Sequence, residues 1–365
     1  MKWIKYLGFP ILLAALGSAA AGERAPLFQD KTTLKAVLTA PISQAYAQRD
    51  QDVRIYFPGQ WTYTDGDGAS QRLDVSIRTR GNFRRAFCTL PPLQLNFKKS
   101  QVKGTLFKGQ DKLKLVAPCQ NGLVSQQDVL KEYLAYRIFE ILTDRSFGTR
   151  LIRLSYIDSD GKNDSWTDVA FVIEDDADVA KRLKFDQLRV AYNEFHQLDH
   201  PTTALVDLFQ FLIGNSDYSV LKGPEGEYCC HNTEMYVDEK AADSRITIPF
   251  DFDMSGLVHA KYAAPPSHVP IKSVRHRYYR GLCQPTDVLD AAVAHIQSKR
   301  EEIMTLIEET EELSGLSRTR TASYMRSYFE ILDNKARVDR EVVGRCRGMN
   351  ELEELLAKRE AKASN

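Results

Sequence analysis

The chain has 365 residues, in which 49 Lys and Arg balance 49 Asp and Glu. A net charge of zero offers no electrostatic footprint for DNA or RNA, so a nucleic-acid partner is excluded from the expectations. Six cysteines, Cys88, Cys119, Cys229, Cys230, Cys283 and Cys346, lack the spacing of a zinc site and read as disulfides.

The first residues, MKWIKYLGFPILLAALGSAAAGERAP, place Lys2 and Lys5 before an apolar run from Tyr6 to Leu16, followed by small residues ending in Ala19-Ala20-Ala21. This is the pattern of a Sec-type secretory signal, residues 1–21, cut after Ala21. The run is far shorter than the roughly 20 residues that span a bilayer. With no other segment apolar enough to span, no transmembrane segment is expected after signal cleavage, and the mature chain is expected to be periplasmic or secreted.

From Thr33 to Val116 the pattern is mostly strands: DVRIYF, RLDVSIRT, PPLQLNF and DKLKLVA all alternate with period two. Cys88 and Cys119 flank one such β-rich unit and are expected to pair. Closing that loop stabilises a fold by roughly 3 to 4 kcal/mol in the chain-entropy model. Cys229 or Cys230 is expected to join Cys283, with the other of the two free or bonded to Cys346, because adjacent cysteines rarely bridge each other. SQQDVLKEYLAYRIFEIL predicts a helix capped by Ser125. RLIRLSYI and DVAFVIE predict a hairpin across the polar loop DSDGKNDSWT. PTTALVDLFQFLIG predicts a helix with Pro201 in its first turn and Gly214 as its stop. HNTEMYVD and ITIPFDFDMSG read as strands, and amphipathic helices follow from Thr286. The expected organisation is a β-rich lobe over 27–175, a mainly helical lobe with a small strand insert over 176–350, and a frayed tail over 351–365.

The chemistry gathers in the second half. Asn215 and Asp217 follow an apolar helix, Asn232 opens a strand, and Asp251 and Asp253 close the next one. Two carboxylates about 5 Å apart at an effective dielectric near 20 repel by roughly 3 kcal/mol, about two pK units. A cation, a basic side chain or a retained proton must offset that. Phosphoryl transfer needs a carboxylate for the hydroxyl proton and oxygen ligands for magnesium, and these residues supply both in order. The same residues also admit plain structural roles, as turn formers and solvated strand residues.

The motifs IRTRGN, LFKG with DKLKLVA, RLIRLSYID with DVAFVIED, and LIGNSDYSV…HN…PFDFDMSG resemble the spore-coat-protein-H (CotH) kinase-like family, in an exported bacterial branch. They run from about Val75 to Gly256. The resemblance implies an α+β, two-lobed atypical protein-kinase-like fold. Its implied activity is phosphotransfer to a hydroxyl, with Mg2+ and ATP as cofactors and a protein or small molecule as acceptor. Asp217 would match the catalytic-loop aspartate, Asn232 the magnesium-binding asparagine, and Asp251 with Asp253 the metal aspartates. Lys112 or Lys114 would reach the nucleotide phosphates; both lie on one face of a strand, so both stay open. Glu174 would lie near the nucleotide at the interlobe hinge. Arg80, with Arg78, Arg84 and Arg85 around Gly81, could bind phosphate oxygens. The alternative in a different class is a catalytically inactive kinase-like binding module of the cell envelope.

Overall fold

Along Leu34–Ala40 (β1) every second residue is buried, and the same alternation runs through most of Phe57–Thr64 (β2), Ser70–Thr79 (β3), Leu93–Phe97 (β4) and Lys112–Val116 (β5). Successive side chains of a strand point to opposite faces, so each of these strands offers one apolar face to a common interior. The structure is a computed structural model that describes residues 22–238 and 244–363. The expected signal peptide lies outside the described residues. Thr149–Asp158 (β6) and Trp166–Ile173 (β7) form the predicted hairpin, with Tyr156 opposite Trp166. These seven strands close into a barrel in the order β1-β2-β3-β4-β5-β7-β6. The closing contact is parallel, with Leu34 opposite Ile152 and Ala40 opposite Asp158. Trp61, Tyr63, Phe97 and Phe107 fill one part of the interior with their rings in edge and tilted contact.

This corrects the expected two-lobed kinase-like fold, which would have carried an open sheet in its first lobe. The fold is α+β, a closed seven-stranded barrel with helices. Alternation along a strand reports which face is buried; it does not report whether the two ends of a sheet meet. The closing pair joins segments remote in sequence and runs parallel, so no hairpin turn announces it.

Short helices Pro26–Gln29 (α1), Ile42–Ala47 (α2) and Phe83–Phe87 (α3) decorate the barrel. The long helix Leu123–Leu142 (α4) covers the outer face of β7, where the rings of Tyr133 and Tyr136 meet Phe171 at 5.8 and 5.6 Å. Its N-cap is Gly122, three residues ahead of the expected cap Ser125. Ser125 lies inside the first turn, and its hydroxyl accepts from the backbone of Gln120. Asp176–Leu183 (α5) follows the barrel, capped by Asp175. His200–Ile213 (α6) begins at Asp199, whose carboxylate accepts from Thr202 N, and stops at Gly214 in the left-handed region, φ 65°. A Cβ on Gly214 would fall 2.1 Å from the Tyr324 hydroxyl, so only glycine fits there. Phe185–Gln187 (β8), Thr233–Asp238 (β9) and Arg245–Pro249 (β10) make a small antiparallel sheet in the order β10-β9-β8. Thr286–Ser298 (α7), Arg300–Glu309 (α8), Gly315–Leu332 (α9) and Lys335–Glu341 (α10) surround α6 and α4 in a second apolar core. Met349–Ala363 (α11) is helical where a frayed tail is expected, anchored by buried Leu352.

Three disulfides are present. Cys88–Cys119 is the expected pair. The other two correct the expectation: Cys283 bonds Cys346, and Cys229 bonds its neighbour Cys230. Backbone pairing decides the first of these. Cys283 N donates to Arg347 O at 2.8 Å and Arg347 N to Gly281 O at 3.0 Å, which lays Cys283 against Cys346. No described helix is long and apolar enough to cross a membrane.

Candidate functional site

The register of β9 and β10 sets the site. Thr233 lies opposite Pro249, so Asn232 and Asp251 leave the same end of the sheet, and Phe250 N donates to Asn232 O at 3.1 Å. Asn232 and Asp251 both have left-handed backbone, φ 51° and 59°. Short polar side chains are the non-glycine residues that tolerate this conformation. Asp251 N is held by the Tyr136 hydroxyl of α4 at 2.9 Å. From the other side comes the loop after α6, where Asn215 Oδ1 accepts from Asp217 N at 2.9 Å. Asn232 Nδ2 then ties the two segments, donating to Asp217 O at 2.7 Å and Oδ2 at 3.1 Å. His231 Nε2 lies 3.0 Å from Asp217 Oδ1. That hydrogen bond raises the His231 pKa, against burial and with help from the charges of Asp217, Asp251 and Glu227.

These residues converge on one cleft of about 360 Å³. Asp217, Asn232, Asp251 and Asp253 line it on the helical side, and Arg80 and Lys114 line it on the barrel side. The Lys114 ammonium is ion-paired with Asp176 and lies over the rings of Phe147 and Phe250 at 5.7 and 5.3 Å. The two strand-end aspartates have divided their roles. Asp253 is buried; Tyr262 donates to its Oδ2 at 2.9 Å, and Arg84 Nε lies 3.9 Å away. Burial, then the neighbouring Asp251, raises the Asp253 pKa, while Arg84 opposes the rise. A basic side chain and a tendency to keep a proton therefore offset part of the predicted repulsion. The Asp251 carboxylate has no hydrogen-bond or ion-pair partner among the described residues, and it faces the cleft.

Two expected site residues take other places, and a third lines the cleft without opening fully into it. Lys112 is exposed and outside the cleft, because two positions along β5 carry it past the cleft's rim. Glu174 is buried and spent on structure: it accepts from Gly148 N at 2.8 Å, from Arg182 Nε and Nη2 at 3.0 Å each, and from Arg24 at 3.4 Å. It is absent from the cleft lining. Asp253 lines the cleft but is turned to Arg84 and Tyr262, so it supports the site more than it opens into it. One residue was missed. Glu132 of α4 is buried at the cleft wall, where Arg84 Nη1 donates to it at 2.9 Å. Burial raises its pKa, with Arg84 opposing. The available signal was a lone carboxylate within the apolar stripe Val129, Leu130, Tyr133 and Tyr136.

Among the described residues no three His, Cys, Asp or Glu side chains are gathered as a metal-binding group. Magnesium does not require one, since it keeps most of its waters and takes one or two carboxylates or amide oxygens. Asn232 spends its Nδ2 on Asp217, which leaves Oδ1 without a hydrogen-bond partner among the described residues, in the cleft that Asp251 also lines. The residues fit a hydrated hard cation. A wider groove of about 910 Å³ lies between β1 and the end of α8, and Lys31 on its wall is already paired at 2.7 Å with Glu140 outside the lining. No protein-family model and no curated protein matches the chain.

Proposed function

We propose that the chain transfers the γ-phosphoryl group of Mg-ATP to a hydroxyl acceptor. The observation that supports this reading is the meeting of Asp217, Asn232 and Asp251 in one cleft opposite Lys114 and Arg80. The support lies in the site, since the barrel carries no argument for the activity. In this reading Asp251 and Asn232 Oδ1 hold magnesium, which when bound neutralises phosphate charge. Arg80 and Lys114 stabilise the oxygens of the transferring group, Lys114 after leaving Asp176. Asp217 orients the acceptor hydroxyl and takes its proton; its oxygens keep free lone pairs despite their bonds to His231 and Asn232. The CotH-like motifs that bear these residues agree with this chemistry. Three disulfides fit an oxidising compartment, in line with a periplasmic or secreted protein.

The test is a thermal-shift titration. Mg-ATP at a hundred times its dissociation constant stabilises the fold by about 2.7 kcal/mol, and Asp251→Asn abolishes the shift. Asp217→Asn keeps the shift and loses phosphoryl transfer to a hydroxyl acceptor. A shift unchanged in Asp251→Asn overturns the reading. One observation favours a second reading, an inactive binding module of the envelope: Lys114 is already neutralised by Asp176. That reading expects no Mg-ATP shift and no transfer, and stabilisation by calcium alone would assign the open carboxylate to a structural ion.

A further inference from the structure

The barrel carries cationic groups beyond the cleft that phosphoryl transfer does not use. On its outer face Arg78, Gln94 and Lys114 stand side by side, since β3 pairs Arg78 with Gln94 and β4 pairs Gln94 with Lys114. Adjacent strands are about 4.8 Å apart, so Arg78 begins roughly 10 Å from the cleft lysine. Arg80 lines the cleft two residues further along the same face, whereas Arg78 and Arg54 lie outside its lining. The Arg78 guanidinium lies 4.7 Å over the Tyr56 ring, and neither Arg78 nor Arg54 has a carboxylate ion pair among the described residues. Arg54 Nε and Nη1 and Arg78 Nε are shielded from water without hydrogen-bond partners. Burial first, and then the charges of Arg85 and Arg78, lower the Arg54 pKa, with Asp52 opposing, so Arg54 lies in the field of both guanidiniums. Beside them Val53 and Ile55 are 79% and 56% exposed.

Guanidinium groups crowded together with no ion pair among the described residues and only the charge of Asp52 nearby are an unfinished site. Their planar forks match carboxylates in a two-bond geometry, and the exposed Val53 and Ile55 suit the apolar side chains of an extended polypeptide. We infer that this cluster of Arg54, Arg78 and Arg80 is the docking surface for an acidic polypeptide segment that delivers its hydroxyl to the cleft. The inference rests on the proposed phosphotransfer for its purpose, but the surface can be tested without it.

The probe is a fluorescein-labelled peptide of alternating Glu and Leu around one Ser, followed by anisotropy with the mature chain. The acidic peptide binds, the same peptide with Lys for Glu does not, and raised salt weakens the complex. Arg54→Gln with Arg78→Gln weakens binding by about tenfold or more, while Lys299→Gln with Lys335→Gln on the helical part does not. Arg54→Gln alone, an edge substitution, gives a smaller loss and guards against misfolding of the double variant. Equal binding by wild type and double variant overturns the inference, as does equal binding of the two peptides. Binding confined to vesicles of phosphatidylglycerol also overturns it. The Mg-ATP thermal shift is measured on the same samples. Peptide binding without that shift retains the surface and rejects the phosphotransfer; the shift without peptide binding does the reverse.

Discussion

Two buried or half-buried acidic centres in this molecule make opposite use of the same functional group. At the junction of the barrel and α5, Glu174 is surrounded by Arg182, Arg24 and the Gly148 N–H, and both of its oxygens are engaged. At the end of β10, Asp251 is fixed only by its backbone, through Tyr136 and a left-handed turn, and its carboxylate is left open to the cleft. A carboxylate whose lone pairs are satisfied by fixed donors holds the fold together. One whose backbone is tied down while its side chain is left unpaired is placed to receive something from outside.

The contrast is sharpened most by breaking the satisfied centre. Glu174→Gln leaves Arg182 buried without its anion and should cost about 3 to 5 kcal/mol, read from urea unfolding. A loss below about 1 kcal/mol would dissolve the distinction. Cys283→Ala with Cys346→Ala, which opens a loop with a sequence separation of 63, should cost about 4 kcal/mol in the chain-entropy model without altering the Mg-ATP shift. Next comes Asp207 of α6, which accepts from the Tyr218 hydroxyl and from Leu282 N at 2.8 Å each and so anchors the loop that carries Asp217. Burial pushes its pKa up to about 6, against those two hydrogen bonds. A folded value above the unfolded one means that this carboxyl contributes stability at low pH, fully below about pH 4, and that the contribution is lost as pH rises through about 6. The difference is about 3 kcal/mol. Unfolding measured across that window should therefore show a flatter pH dependence in Asp207→Asn than in the wild type. The smallest effect belongs to the open centre. Asp251→Asn removes a charge that repels Asp253 and Glu132, so stability should stay within about 1 kcal/mol and shift upward, even as the Mg-dependent shift disappears.

Much of this was legible in the residues. Period-two alternation marked β3, β4, β5 and the β6–β7 hairpin, and Pro201 and Gly214 marked the ends of α6, because these signals are local; DVRIYF misled, since the chain is irregular up to Phe57 and the strand β2 follows it. Asp217, Asn232 and Asp251 were legible as a group because each lies at the end of an apolar element, where a side chain must face outward. What stayed hidden depends on partners remote in sequence. Lys112 and Lys114 share a strand face, and only the placement of Asp176, Phe147 and Phe250 decides which of them meets the cleft. Glu174 looked available because Arg24 reaches it from the other end of the barrel sequence. Closure of the barrel and the partner of Cys283 were invisible for the same reason, each being set by backbone pairing between distant segments.

That parallel seam between β1 and β6 has a consequence for how the molecule is made. A chain emerging N-terminus first displays β1 long before its second neighbour exists, since Leu34 must wait for Ile152. At ordinary synthesis speeds the wait is on the order of ten seconds. Throughout it the nascent sheet has two raw borders able to zip onto other polypeptides, so the interval before residue 158 appears is when this protein most needs an escort.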